Sequence, residues 1–331
     1  MKKIIITGSA GMFGANFARY FLDQGYKVMG LDNFSGGYGD FLPEHKNFQF
    51  VEIDLIDSER LNKIFDDFKP DTVYHFAAYA AEGLSPFIRN FNYTNNVICS
   101  MNVINSCIRT SAKIVFTSSM AVYGHQQVPF IESSVPTPAD PYGIAKYTVE
   151  MDLREAANQF DLRYTIVRPH NVIGLYQNIW DRYRNVIGIF INKAISGNPF
   201  TIYGDGKQTR AFSDISSCFK VFEKIGYDKF NGEIFNIGSD KFYTINEAAK
   251  VVGEVAKGHG YNTDTIHLEE RLEVKDAYPS HDKAKSFLDF NDKTDFPKLV
   301  ESMFAWALTQ PQREVKNMKY EINKGIYSYW K

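Results

Sequence analysis

The sequence predicts an α/β protein built on a doubly wound parallel sheet, with a smaller, interleaved C-terminal α/β lobe. Three observations predict it. Short apolar runs alternate with amphipathic helical patterns through the first half of the chain. A glycine-rich turn joins the first run to the first helical pattern. After Asn171 the rhythm breaks: loops lengthen, and apolar pieces such as Phe200–Tyr203 and Ile234–Ile237 sit among polar stretches.

The expected strands are Lys3–Thr7, Lys27–Asp32, Phe48–Asp54, Thr72–Ala77, Ile114–Ser118 and Arg163–Arg168. Between them the pattern predicts helices over Phe13–Gln24, Ser58–Phe68 and Tyr93–Thr110, with another beginning after Pro141. Strands that are apolar throughout, separated by helices, imply a sheet covered on both faces. In the Tyr93–Thr110 segment, Val97, Met101, Ile104 and Ile108 form one stripe, which serves either a core or a subunit interface. No Pro-, Gly- or Ser-rich linker interrupts the chain. The expected division is therefore 1–171, a dinucleotide-binding unit completed by return segments from later in the chain, and 172–331, mainly a substrate-binding lobe.

Composition excludes several classes. The chain has 331 residues, 44% of them hydrophobic, and 37 basic residues balance 39 acidic ones. It offers no basic surface signal for nucleic acid and no apolar run long enough for a membrane span. The opening Met1–Gly8 stretch is too short for a signal peptide and runs into a glycine turn, so it reads as a first strand. A cytoplasmic location is the expectation. Cys99 and Cys107 lie on one predicted helix, about 12 Å apart along its axis, too far to pair within it. The histidines show no metal-ligand spacing, and no metal is expected.

The first strand runs into Gly8-Ser9-Ala10-Gly11-Met12-Phe13-Gly14. Glycines at steps of three allow a tight turn, close approach of backbone to a pyrophosphate, and close helix–strand packing. The helix start then offers free N–H groups to phosphate. The second strand ends at Asp32, where a carboxylate accepts from ribose hydroxyls and repels a 2′-phosphate. This favours NAD over NADP. Asp54, ending the third strand, either meets the adenine amine or caps a helix. Asn33 and Leu55, beside these two, belong to the same expected cofactor site.

Tyr142 and Lys146 stand four apart just after Pro141, so on a helix they share a face. A free phenol titrates near pH 10. A nearby ammonium and a positive nicotinamide both favour phenolate, which then removes a hydroxyl proton as hydride leaves carbon. The preceding strand ends in Thr117-Ser118-Ser119, where a serine hydroxyl is expected to bridge substrate and tyrosine.

With these motifs the chain resembles the extended short-chain dehydrogenase/reductases of the NAD-dependent epimerase/dehydratase group, in particular the UDP-glucose 4-epimerase branch, with a Rossmann-type fold. The resemblance runs from Lys3 to about Phe290. It is carried by Gly8–Gly14, His75-Phe76-Ala77-Ala78, Thr117–Ser119 through Val122-Tyr123-Gly124, Tyr142–Lys146, Arg168-Pro169-His170-Asn171, and Gly204-Asp205-Gly206 followed by Arg210. It implies that Ser119, Tyr142 and Lys146 are catalytic. It implies that Met12, Phe13, Phe76, Ala77, Ala78, Asn96 and Thr117 surround the cofactor, and that Asn171, Asn185, Arg210 and Arg271 hold the substrate diphosphate.

Related 4,6-dehydratases carry an Asp-Glu pair where this chain has Met120 and Ala121, and related decarboxylases keep the glutamate. Neither residue here transfers protons, which disfavours both reactions. A 4-epimerase acting on a UDP-hexose then leads. A C4 dehydrogenase that releases a 4-keto sugar, such as a GDP-heptose for capsular or surface polysaccharide, shares the first half-reaction. A non-catalytic NAD-binding sensor would be expected to have lost Tyr142 or Lys146. Glu82 either faces the sugar, where such enzymes usually carry an uncharged residue, or caps a loop. The resemblance also implies a symmetric homodimer, with a tetramer open, joined through the Tyr93–Thr110 and Tyr142-bearing helices.

Overall fold

The computed structural model describes residues 1–271, 274–315 and 317–330. Six strands from the first half, β1 (Lys3–Thr7), β2 (Lys27–Asp32), β3 (Phe48–Glu52), β4 (Thr72–His75), β5 (Lys113–Thr117) and β6 (Tyr164–Pro169), join a later strand, Ile234–Ile237. Their order across the seven-stranded sheet is Ile234–Ile237, β6, β5, β4, β1, β2, β3, and every pairing is parallel. The chain therefore winds outward from β1 in one direction through β3 and then in the other from β4. The reversal between β1 and β4 opens a crevice beyond the strands' carboxyl ends, where open α/β sheets bind ligands.

β3 and β4 end two residues earlier than the apolar runs suggest. For β4 the cause lies in β1, which turns away at Gly8. Phe76 N–H still reaches Thr7 O at 3.2 Å, and beyond it Ala77 and Ala78 line the crevice.

Helices α1 (Met12–Asp23), α2 (Ser58–Phe68), α3 (Arg89–Tyr93), α4 (Cys99–Thr110) and α5 (Pro141–Phe160) cover the sheet. Asp57 caps α2 by accepting from Arg60 N–H. Asp140 caps α5 by accepting from Gly143 N–H, with Pro141 in the first turn. The expected Tyr93–Thr110 helix is interrupted by one wide π-type turn, Thr94–Ile98, between α3 and α4. A wide turn shifts the helical phase of the residues beyond it. Cys99, Val103, Ile104 and Cys107 consequently face the core, while Val97, Met101 and Ile108 of the expected stripe lie at its edge, half-buried. All three cysteines are buried and free.

One face of the sheet buries Phe17, Phe21, Val115 and Phe222; the other buries Phe65, Val73, Ile104 and Val149. A further core joins helices Val186–Ile195, Ile245–Gly258 and Phe296–Leu308 to strand Phe200–Tyr203. Its middle helix starts with a capping box between Thr244 and Glu247. No helix among the described residues is long and apolar enough to cross a membrane.

Candidate active site

The glycine turn is built by close packing. Gly8 has φ +70°, and a Cβ there would lie 2.8 Å from Ala77 N. A Cβ on Gly14 would lie 2.1 Å from Gly8 O, so that glycine lets α1 sit against the turn. Asp32, at the end of β2, accepts from Ala10 N–H at 2.9 Å and from Phe34 N–H at 2.7 Å. It thereby ties the turn to the loop after β2. Burial pushes its carboxyl up, opposed by these backbone hydrogen bonds and by the charge of Arg184.

Ser119 follows β5, and its hydroxyl accepts from Ala121 N–H at 3.1 Å. It also lies near enough to the Tyr142 phenol to favour its ionised form. Lys146, one turn along α5, donates to Thr117 O at 2.8 Å and lies 5.9 Å from the centre of the Tyr142 ring. All three side chains are buried. Burial draws the Lys146 ammonium down to about 7, against the pull of Glu150.

The expected lowering of the Tyr142 pKa is not present in the protein alone. Burial pushes the phenol well above its usual value, and Glu82 adds to this, while Ser119 and Arg184 act the other way. The physical reason is desolvation: an enclosed phenolate needs a positive charge close by, and Lys146 is itself partly discharged by the same burial.

Behind this group lies a buried polar network. Arg168, on β6, grips Glu150 of α5 with both sides of its fork, at 2.9 and 2.6 Å. The two side chains are 1% and 0% exposed. Ser118 donates to Glu150 at 2.5 Å, Arg168 donates to Tyr123 Oη at 2.8 Å, and Tyr123 donates to Asn236 at 2.7 Å. The network fixes α5 against β5 and β6 one turn beyond Lys146.

A cavity of about 1600 Å³ opens over the crevice. That exceeds the usual 300–1000 Å³ of a single small-ligand pocket and suits two ligands side by side. From the expected cofactor set, its wall includes Gly8, Gly11, Met12, Phe13, Asp32, Asn33, Asp54, Leu55, Phe76, Ala77, Ala78, Thr117, Tyr142 and Lys146. From the expected substrate set it includes Glu82, Ser119, Asn171, Asn185, Arg210 and Arg271.

Two expected residues stand off the wall. Gly14 lies behind the turn for the packing reason above. Asn96 is fully buried: it accepts from Tyr79 N–H at 2.9 Å and donates to Tyr79 O and to Asn92. It braces the segment after β4, and its neighbour Asn95 faces the cavity instead. The wide turn sets that phase, and no spacing rule in the sequence signals it.

The other expected residues have identifiable local roles. Asp54 accepts from Asn33 at 3.1 Å and from Ile56 N–H at 3.0 Å, while the cap of α2 is Asp57. Asn185 caps helix Val186–Ile195 through Ile187 N–H. Asn171 has φ +41°, and its buried amide nitrogen has no protein partner. Both side-chain atoms of Gln177, also on the wall, lack protein partners. Such orphaned amides fit a site that receives polar ligand groups. His170 is buried away from the wall, and burial first, then His281 and Arg210, hold it neutral, near 3.

Two further wall features stand outside the expected site residues. Arg184 pairs with Asp181 at 2.9 Å and lies over the Tyr79 ring. Its charge bears on both Asp32 and Tyr142, so it sits between the two halves of the site. The segment 317–330 also reaches the wall, through Lys324, Tyr327, Tyr329 and Trp330. It lies beyond the stretch that carries motifs.

The doubly wound sheet, glycine turn and acidic end of β2 define a dinucleotide-binding α/β enzyme. The chain belongs to the NAD dependent epimerase/dehydratase family, whose model matches residues 4–238. It is 30% identical over 243 residues to UDP-glucose 4-epimerase of Mycolicibacterium smegmatis, covering 72% of this chain and 77% of the relative. It is 26% identical to UDP-N-acetyl-alpha-D-glucosaminuronate decarboxylase of Bacillus cytotoxicus, over 96% and 99% of the two chains. The solved UDP-glucose 4-epimerase of Thermotoga maritima with UDP-glucose superposes with TM-score 0.83 at 28% identity, covering 92% and 98%. The protein is an NAD-dependent enzyme of the sugar-nucleotide epimerase, dehydratase and decarboxylase family.

Proposed function

We propose that the protein is a nucleotide-sugar 4-epimerase, acting on a UDP-hexose by transient oxidation at C4. The observation that carries this reading is the buried group of Ser119, Tyr142 and Lys146 in the wall of one two-ligand cavity. The adjacent Met120 and Ala121 are apolar and buried, so these two residues supply no second acid–base pair for elimination or decarboxylation.

The glycine turn, Asp32 and the Phe76–Ala78 segment would hold the cofactor, with Asp32 disfavouring a 2′-phosphate. Bound NAD supplies the hydride acceptor and a positive charge. Tyr142 then takes the C4 hydroxyl proton, Ser119 bridges that hydroxyl and the phenol, and Lys146 favours the phenolate. Asn171, Asn185, Arg210 and Arg271 hold the diphosphate while the sugar turns, and guanidinium groups are suited to phosphate. The first 171 residues, with return segments, serve the cofactor, and the lobe serves the substrate.

Glu82 on the wall favours keeping a second reading, because its charge bears on Tyr142. In it, the enzyme is a C4 dehydrogenase that releases a 4-keto sugar, such as a GDP-linked heptose. A homodimer is supported by exposed apolar side chains on adjoining segments: Ile98, Ile144 and Met151. The deciding experiment offers UDP- and GDP-linked sugars to the pure enzyme while absorbance at the NADH wavelength is followed and products are analysed. A C4-inverted sugar without lasting NADH supports the epimerase. About one equivalent of NADH per site, with a keto sugar, supports the dehydrogenase. Neither product would overturn both.

A further inference from the structure

The loop after β2 forms one wall of the cofactor half of the cavity, yet its far end is buried in a different core. Asn33, Ser35, Gly36 and Gly37 line the cavity. Gly37 packs directly on the glycine turn. A Cβ there would lie 1.9 Å from Ala10 O, and the same carbonyl accepts from Tyr38 N–H at 3.3 Å. Phe41, a few residues on, is fully buried in the core that joins helices Val186–Ile195, Ile245–Gly258 and Phe296–Leu308. Its ring lies 5.6 Å from Trp306 and 5.8 Å from Tyr176. The Tyr38 ring meets Trp180 edge-on at 5.5 Å. A segment that walls the dinucleotide site is therefore rooted among residues from the second half of the chain.

Arg313 reaches that root from beyond the 4–238 family match. Its guanidinium lies over the Tyr38 ring at 3.7 Å, with Trp180 at 4.9 Å and Phe41 at 5.5 Å. It also pairs with Asp40, whose side chain is 47% exposed against 16% for Arg313. Cation–π contacts strengthen as they lose water, whereas exposed ion pairs contribute little. The rings, rather than Asp40, therefore set the strength of this contact. Other ties act on the backbone: Asn178 donates to Gly36 O at 3.1 Å, and Arg19 donates to Phe41 O at 2.8 Å. They keep the path of the loop when Arg313 is removed, while Arg313 covers the face of the Tyr38 ring.

We propose that the loop Phe34–Phe41 governs how long NAD stays bound, and that Arg313 clamps it onto the glycine turn by stacking on Tyr38. Tyr38 and Arg313 are positioning residues: both stand off the cavity wall and act through the loop. Ligands leave buried sites through local openings, and an opening here must lift Tyr38 from beneath Arg313. The proposal holds for either reading of the sugar chemistry, because it concerns the cofactor alone.

The test follows NAD release from the loaded, full-length enzyme. Adenine-labelled NAD is chased with excess unlabelled NAD, and the label still bound is counted over time. Arg313→Ala is expected to release NAD about tenfold faster, the scale of losing a sheltered cation–π contact. Tyr38→Leu is expected to do the same, and the double variant to be no faster than either, since all three lose one shared contact. Asp40→Asn is expected to change the rate less than about twofold. Arg163→Ala breaks an exposed ion pair with Asp228 at the amino end of β6, away from the cavity, and is expected to leave the rate unchanged. Release from Arg313→Ala at the wild-type rate overturns the proposal. So does equal acceleration in Arg163→Ala, which would mean general loosening, and so do additive effects in the double variant. A wild-type enzyme that exchanges NAD within the mixing time overturns it too, because nothing is then being retained.

Discussion

Replacing Arg168 with Met tests the network behind the site most directly. Arg168 and Glu150 are both fully enclosed, and the fork makes two hydrogen bonds to the carboxylate. Burial alone pulls the guanidinium pKa down, but the hydrogen bonds and charge of Glu150 outweigh it and hold it higher than usual. Removing one partner of such a pair leaves a buried charge unmatched, at a cost of about 3–5 kcal/mol. Met fills most of the volume, so cavity formation adds little. The Glu150→Met, Arg168→Met double variant removes both charges and orphans the Ser118 hydroxyl, while Tyr123 keeps Asn236 and the part-exposed Arg154 loses only its 3.8 Å pairing with Glu150. Such an orphan costs about 1–3 kcal/mol. The double variant is therefore expected to be no less stable than Arg168→Met, a strongly non-additive result. Urea unfolding of the NAD-free protein, followed by tryptophan fluorescence and circular dichroism together, measures it. A loss below about 1 kcal/mol for Arg168→Met, or additive losses in the double variant, would refute the reasoning.

Three further outcomes are expected. Tyr142→Phe keeps NAD binding and loses sugar oxidation by at least a hundredfold, the usual scale for removing a positioned base; single-turnover NADH formation at wild-type rate would remove Tyr142 from the chemistry. Glu82→Gln removes a negative charge that favours the protonated phenol. The limb of the kcat/KM profile that reports loss of the phenol proton therefore moves to lower pH, and an unmoved or raised limb contradicts the contact. Asp32→Ala weakens NAD and narrows the preference over NADP, read as the ratio of the two dissociation constants; a constant ratio would exclude the ribose contact.

Much of the sheet was legible because its signals are local. β1, β2 and α2 have the expected bounds, since each is bounded by residues with their own reason to stop or start it: Gly8, Asp32 and the Asp57 cap. The glycine turn and the Ser119, Tyr142 and Lys146 group were legible for a related reason. Their spacing follows from a strand end and one helical turn. What escaped depends on contacts between distant segments. Asn96 faces inward only because a wide turn precedes α4. The charge of Arg184 bears on Asp32 from more than a hundred residues further along the chain. Segment 318–330 has no periodicity of its own and is ordered by the apolar surface of Leu84, Phe87 and Tyr183. The resting state of the Tyr142 phenol escaped because sequence spacing counts neighbouring charges and cannot count lost water.

The wide turn at Thr94–Ile98 also bears on how such a site is inherited. It sits between two neighbouring asparagines' alternatives: one braces the loop after β4, the other looks into the cavity. A chain one residue shorter at that turn would keep α4 on the same core and advance the preceding face by about 100°, one residue's share of a helical turn. The lining of the cavity would change without any substitution. Insertions and deletions at this point therefore act as a dial on the pocket, independent of the residues that hold the fold.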